Sequence, residues 1–159
     1  NHDDNFVSFD ELRNYKYLDA MLKETERLYP PTYFIPRLAL RSVNYDQYEI
    51  PQGWLVNICP LLTHRSPLIF SEPTVFDPER FLPPREEHKK QSPSLMGFGL
   101  GAKACIGYAL ALAEIKLLII HLTRHFEFNI LNGEIPRNAW VPSWHPKNGV
   151  WINIKRINI

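Results

Sequence analysis

Between residues 8 and 29 the chain repeats at steps of three and four: Tyr15, Leu18, Leu22, Thr25 and Tyr29 share one face of a helix. Ser8 and Glu11 have the Ser-x-x-Glu spacing of a capping box, so the helical stretch opens there, and Asn14 divides a short turn from a longer piece. Pro30-Pro31 ends it, because a residue before proline is pushed out of the α region. From 35 to 60 the pattern shortens into strands at Ile35 to Leu40, Gln47 to Ile50 and Trp54 to Cys59. Asn44, Asp46 and the Pro51-Gln52-Gly53 turn punctuate them, which predicts a small antiparallel sheet.

Residues 61–96 carry no period. Seven prolines between Pro60 and Pro93 fall among the aromatic anchors Phe70, Phe76 and Phe81. A passage that long without periodicity belongs in a compact domain only if it is functional. The run Arg85-Glu86-Glu87-His88-Lys89-Lys90 reads as a solvated loop. Residues 106–126 then form a helical stretch that is apolar on nearly every side, which predicts a buried helix. Glu114 and Lys116 argue against a membrane span. In the tail, 140–159, Val150, Ile152 and Ile154 alternate beyond a Pro-Lys-Asn-Gly turn at 146–149, which predicts a β-hairpin.

Composition narrows the classes. A net charge of +1 argues against a nucleic-acid footprint or a polybasic membrane patch. Aromatic residues at 13% and hydrophobic residues at 45% suit a folded globular chain, and 159 residues allow one domain. Proline, at 14 residues, is well above the usual ~5%, so much of the backbone is pinned but irregular. Two cysteines, Cys59 and Cys105, make no disulfide framework and fit a reducing compartment. The expected location is therefore intracellular, in the cytoplasm, with any membrane anchor lying ahead of a chain that starts at Asn1.

Four of the seven glycines, Gly97, Gly99, Gly101 and Gly107, surround Cys105 just before the apolar helix. Free N–H groups and the helix dipole at such a junction favour a thiolate. Lys103 adds a cation, Phe98 an apolar wall, and the glycines allow a large flat ligand to approach the backbone. A single axial cysteine is one known mode of haem ligation. The commoner fate of a lone cysteine is an inert, buried one. A phosphate loop does not fit, since Gly101 is followed by Ala102-Lys103-Ala104. His121 and His125 have a metal-site spacing of four, but two histidines near a helix C-terminus are the simpler explanation.

The segment Phe98-Gly99-Leu100-Gly101-Ala102-Lys103-Ala104-Cys105-Ile106-Gly107 resembles the haem loop of the cytochrome P-450 family, Phe-Gly-x-Gly-x-Arg-x-Cys-x-Gly. It departs at Lys103, where Lys keeps the charge of the family's propionate-contacting base but loses the planar fork. Glu24-Thr25-Glu26-Arg27 resembles the family's Glu-x-x-Arg, although alone that spacing is a routine helix pair. Phe76-Asp77-Pro78-Glu79-Arg80-Phe81 resembles its meander motif. Three motifs in the expected order are far more specific than any one.

The resemblance implies a mainly α fold with small β-sheets (α+β), corresponding to the C-terminal part of one cytochrome P-450 domain. It places the K-helix region at 8–29, β segments at 35–60, the meander at 61–96, the haem loop at 97–107, the L helix at 106–126 and a β-hairpin at 140–159. Cys105 is then the axial ligand and catalytic thiolate of haem b, and Phe98, Gly99, Gly101, Lys103, Gly107 and Arg37 the remaining cofactor contacts. Glu24, Arg27 and Arg80 form a structural cluster, and His64-Arg65 a structural segment. Tyr33, Phe34, Ile35 and Ser143-Trp144-His145 fall near substrate-facing turns. The implied activity is a monooxygenase taking electrons from a ferredoxin or flavoprotein reductase and acting on a small apolar substrate. A non-oxygenating haem-thiolate isomerase, dehydratase or sensor, or an inactive remnant, shares the same residues. The family's oxygen-side helix lies upstream of these motifs, so the chain alone should expose apolar surface from its long helix.

Overall fold

Helices and small sheets alternate along the chain in a computed structural model that describes residues 7–131, 138–140, 144–146 and 149–157. The capping box forms: Ser8 N–H donates to Glu11 Oε2 at 2.7 Å and Glu11 N–H to Ser8 Oγ at 3.3 Å. It opens a single 3-10 turn, Glu11–Asn14, before α1 (Lys16–Leu28). The apolar face of α1 is not its only buried face, because Glu24 and Arg27 are buried beside Ala20 and Leu28.

The strands of residues 35–60 form two ladders. β1 (Ile35–Leu38) pairs antiparallel with β4 (Leu55–Ile58), and between them β2 (Val43–Tyr45) and β3 (Tyr48–Ile50) make a hairpin. Asp46 takes φ 52° at the tip of that hairpin, a left-handed conformation that a short polar side chain tolerates.

The aperiodic passage is built of short pieces: α2 (Pro60–His64) and 3-10 turns at Pro78–Phe81 and Glu87–Lys89. Its packing is carried by Ile69, Phe70 and Phe81, which join Ala20 of α1 in a small core. The charged run at 85–90 is not simply a solvated loop, since Glu87 is buried within it.

A 3-10 turn at Gly101–Lys103 leads to α3 (Tyr108–His125), which runs directly into β5 (Phe126–Ile130). Ile120 alone is buried on α3 among the described residues, while Leu110 and Leu118 are 65% and 58% exposed. The apolar surface expected of this helix is therefore open. An ion pair between Lys116 and Asp19 ties α3 to α1. No helix among the described residues is long and apolar enough to cross a membrane.

The expected C-terminal hairpin is corrected in its pairing. β6 (Asn138–Trp140) pairs with β7 (Trp144–Pro146), whereas β8 (Ile152–Arg156) pairs with β5. Alternation identified β8 as a strand but carried no information about its partner, which begins at Phe126, opposite Arg156. Ser143, Lys147 and Asn148 lie outside the described residues.

Candidate functional site

Two groups of residues meet at α1. In the first, a buried charge cluster fastens the irregular passage to the helix. Arg27 donates Nε–H to Glu24 Oε2 at 2.6 Å and a terminal N–H to Glu24 Oε1 at 2.8 Å. Its other donors reach the carbonyls of His64, Pro73 and Val75. Arg80 donates to Glu24 Oε1 at 3.1 Å, to Glu87 Oε2 at 3.0 Å, and to the carbonyls of Ser71, Glu72 and Val75. All three motif residues are fully buried. The three thus converge, and their planar forks satisfy backbone carbonyls that an aperiodic chain cannot pair with itself.

Glu87 is a fourth member that the sequence did not single out. It accepts from Ser71 N–H and Oγ–H, Arg80 and Arg85. Burial alone would raise its carboxyl, but the hydrogen bonds from Ser71, Arg85 and Arg80 prevail and lower it to about 2. Arg85 in turn bridges Glu87 and Asp77. In sequence both sit in a run of mixed charge, indistinguishable from solvated neighbours.

His64 links this cluster to the cysteine loop. Its Nε2 accepts the Met96 N–H at 3.0 Å, so the ring is neutral with its proton on Nδ1. Burial first, with the nearby Arg27 charge, lowers its pKa to about 4. Arg65 donates to the Leu28 carbonyl at the end of α1.

In the second group the glycine-rich loop folds on itself. Gly99 N–H donates to Met96 O at 2.9 Å and Cys105 N–H to Phe98 O at 2.8 Å. Gly99 (φ 76°) and Gly101 (φ 63°) take left-handed conformations. A Cβ at Gly99 would meet Lys103 O at 3.3 Å, whereas one at Gly101 would meet nothing within 4 Å. Gly107 caps α3, next to the Cys105 sulfur. Phe98 packs edge-on against Tyr108, with ring centroids 4.8 Å apart.

Cys105 is a free thiol and exposed. It opens into a cleft of about 500 Å³ lined by Ile35, Arg37, Phe98, Gly99, Lys103 and others, and built from β1, the turn after α1 and the loop. Arg37 stands on β1, where one N–H of its guanidinium donates to the carbonyl of Pro36 at 2.9 Å. One sulfur, two cations and an apolar wall in one cleft fit a flat ligand carrying a metal and two carboxylates. Gly101 and Gly107 shape the loop and do not line the cleft.

Of the residues expected to face substrate, Ile35 lines the cleft, Phe34 is exposed, and Tyr33 is buried, its hydroxyl raised in pKa by that burial. The His121 and His125 ring centroids lie 4.6 Å apart with the rings tilted by 56°, and no metal-binding group of three side chains exists among the described residues.

Comparison with known proteins gives a consistent answer. The family model for "Cytochrome P450" matches residues 2–152. Cytochrome P450 26B1 of Danio rerio is 33% identical over 144 residues, covering 91% of this chain and 28% of the relative. Thromboxane-A synthase of Sus scrofa is 37% identical over 141 residues, covering 87% of this chain and 26% of the relative. The solved structure of a retinoic acid bound cyanobacterial CYP120A1 superposes with a TM-score of 0.89 at 29% identity, covering 95% of this chain and 35% of that one. The chain thus spans about a third or less of the proteins it matches.

Proposed function

Because this chain belongs to the cytochrome P450 family, we propose that it is the C-terminal, cofactor-holding part of a haem-thiolate monooxygenase. The observation that carries the reading is the shared cleft of Cys105, Lys103 and Arg37. When bound, haem b would supply activation of O₂ and insertion of one oxygen atom into an apolar substrate, using electrons from a ferredoxin or flavoprotein reductase.

The residues of this chain would do the rest. Cys105 offers an exposed sulfur on a loop that turns through positive φ at Gly99 and Gly101. Its thiolate would hold the iron. Lys103 and Arg37 would pair with the cofactor's carboxylates, Lys as a point charge and Arg as a fork. Phe98, held by Tyr108, would keep water from the sulfur. Glu24, Arg27 and Arg80 are positioning residues that hold the meander rigid behind the loop. The retinoic acid bound to the similar cyanobacterial CYP120A1 supports an apolar substrate.

The test is the reduced carbon-monoxide difference spectrum of the full-length protein beside its Cys105→Ser variant. The expected result is a red-shifted, thiolate-type Soret band that the variant lacks. A variant that keeps the band overturns the assignment of Cys105. Substrate oxidation dependent on both NAD(P)H and O₂ separates a monooxygenase from a non-oxygenating relative.

A further inference from the structure

Glu26 and Gly97 lie outside the motifs that identify the site. Glu26 occupies a position between Glu24 and Arg27 that the Glu-x-x-Arg motif leaves unspecified, and Gly97 precedes the Phe98 that opens the loop motif. They are nevertheless bonded: Gly97 N–H donates to Glu26 Oε1 at 2.9 Å. The fit is close along the side chain, since a Cβ on Gly97 would stand 2.7 Å from Glu26 Cγ and 2.8 Å from Oε1. Glu26 also walls a pocket of about 220 Å³ together with Leu95, Phe98, Gly99, Ala104 and Cys105.

The ground under Glu26 is firm. Glu24 and Arg27, on the same helix, are bonded to Arg80 and to the carbonyls of His64, Pro73 and Val75, contacts that oppose sliding or rotation of α1 beneath the loop. From Gly97 the constraint runs onward: Phe98 is the next residue, and its carbonyl accepts the Cys105 N–H.

We propose that Glu26 is a positioning residue for the cysteine loop, gripping Gly97 N–H so that the loop is registered on α1 and the Cys105 sulfur is fixed in the cleft. This rests on Cys105 being the iron ligand. A carboxylate acceptor holds an amide more strongly than a neutral one, so its loss should raise local opening about ten- to a hundredfold. Glutamine keeps an acceptor oxygen at the same reach. Leucine does not.

Two readouts on the full-length protein test this. Amide hydrogen exchange at Gly97 reports the grip without reference to haem, and the reduced carbon-monoxide spectrum reports the sulfur. Glu26→Leu is expected to speed Gly97 exchange at least about tenfold and to diminish the thiolate-type band, while Glu26→Gln recovers most of both. Unchanged exchange in Glu26→Leu overturns the proposal, as does faster exchange with an undiminished band. Absence of the band from the unaltered protein would instead refute the haem assignment, and with it the role given to the grip. Should Glu26→Leu not fold, Gly97→Ala provides the second probe. It should destabilise the protein beside Glu26 and much less in a Glu26→Ala background; equal losses in both backgrounds overturn the close contact.

Discussion

Replacing Arg80 with leucine should destabilise the protein by about 3–5 kcal/mol, the usual loss when one partner of a buried ion pair is removed. The magnitude follows from what the guanidinium touches. Glu24 keeps Arg27 and the Asp77 N–H, so it loses one of its charged donors. Glu87 keeps Ser71 and Arg85 but loses the only one of its arginines that is fully buried. The carbonyls of Ser71 and Glu72 lose the donor that Arg80 supplies. Leucine fills some of the space but offers none of these groups a partner, and two carboxylates remain in a site with one cation fewer. The assay is urea unfolding of the full-length protein followed at constant pH, with Arg85→Leu as the internal control. Arg85 binds Asp77 and Glu87 at 2.6 and 2.9 Å, yet its side chain is 37% exposed, so its loss should cost less than about 1 kcal/mol. Equal costs for the two variants, or a cost for Arg80→Leu below about 1 kcal/mol, would refute the claim that burial sets the value of this cluster.

Three other outcomes follow from the same geometry. His64 is held near pKa 4 against an ordinary 6.5, so the unfolded chain takes up its proton first; stability is full above pH 6.5 and falls between 6.5 and 4, by on the order of 3 kcal/mol, and His64→Gln should flatten that slope in urea titrations at pH 7 and 5. Glu87, lowered to about 2 from 4.5, adds stability that is lost only as pH drops from about 4.5 to 2, so Glu87→Gln should remove a second acid limb lying below that of His64, in urea titrations carried down to about pH 3. Gly99→Ala should weaken haem retention more than Gly101→Ala, because both residues have positive φ but only the Gly99 Cβ meets backbone, at Lys103 O; haem loss to an apoprotein acceptor measures it.

The two long helices were legible because their patterns are local. Period placed α1, the capping box placed the 3-10 turn before it, and sustained apolarity placed α3. The loop was legible because its glycines and cysteine are adjacent in sequence. Pairing was not: β8 alternates correctly, but nothing in Ile152 to Arg156 names β5 as its partner. Glu87 and Glu26 escaped for a related reason. A carboxylate's burial depends on what folds over it, and here the covering groups, Ser71 and Gly97, are 16 and 71 positions away. His64 was expected to be structural, but its acceptor role toward Met96 depends on a contact 32 residues distant.

The charge cluster draws all its members from residues 24–87, whereas the cysteine loop begins at 97 and is tied to that block through Met96 on His64 and Gly97 on Glu26. The block closes through many charge-assisted bonds, and the loop is joined to it by few. Such an arrangement gives the molecule two levels of cooperativity. The loop can open and reclose as a small unit of its own while the block beneath stays folded. For the haem proposed above, loading and exchange would then need only this shallow opening, at a free energy well below that of global unfolding.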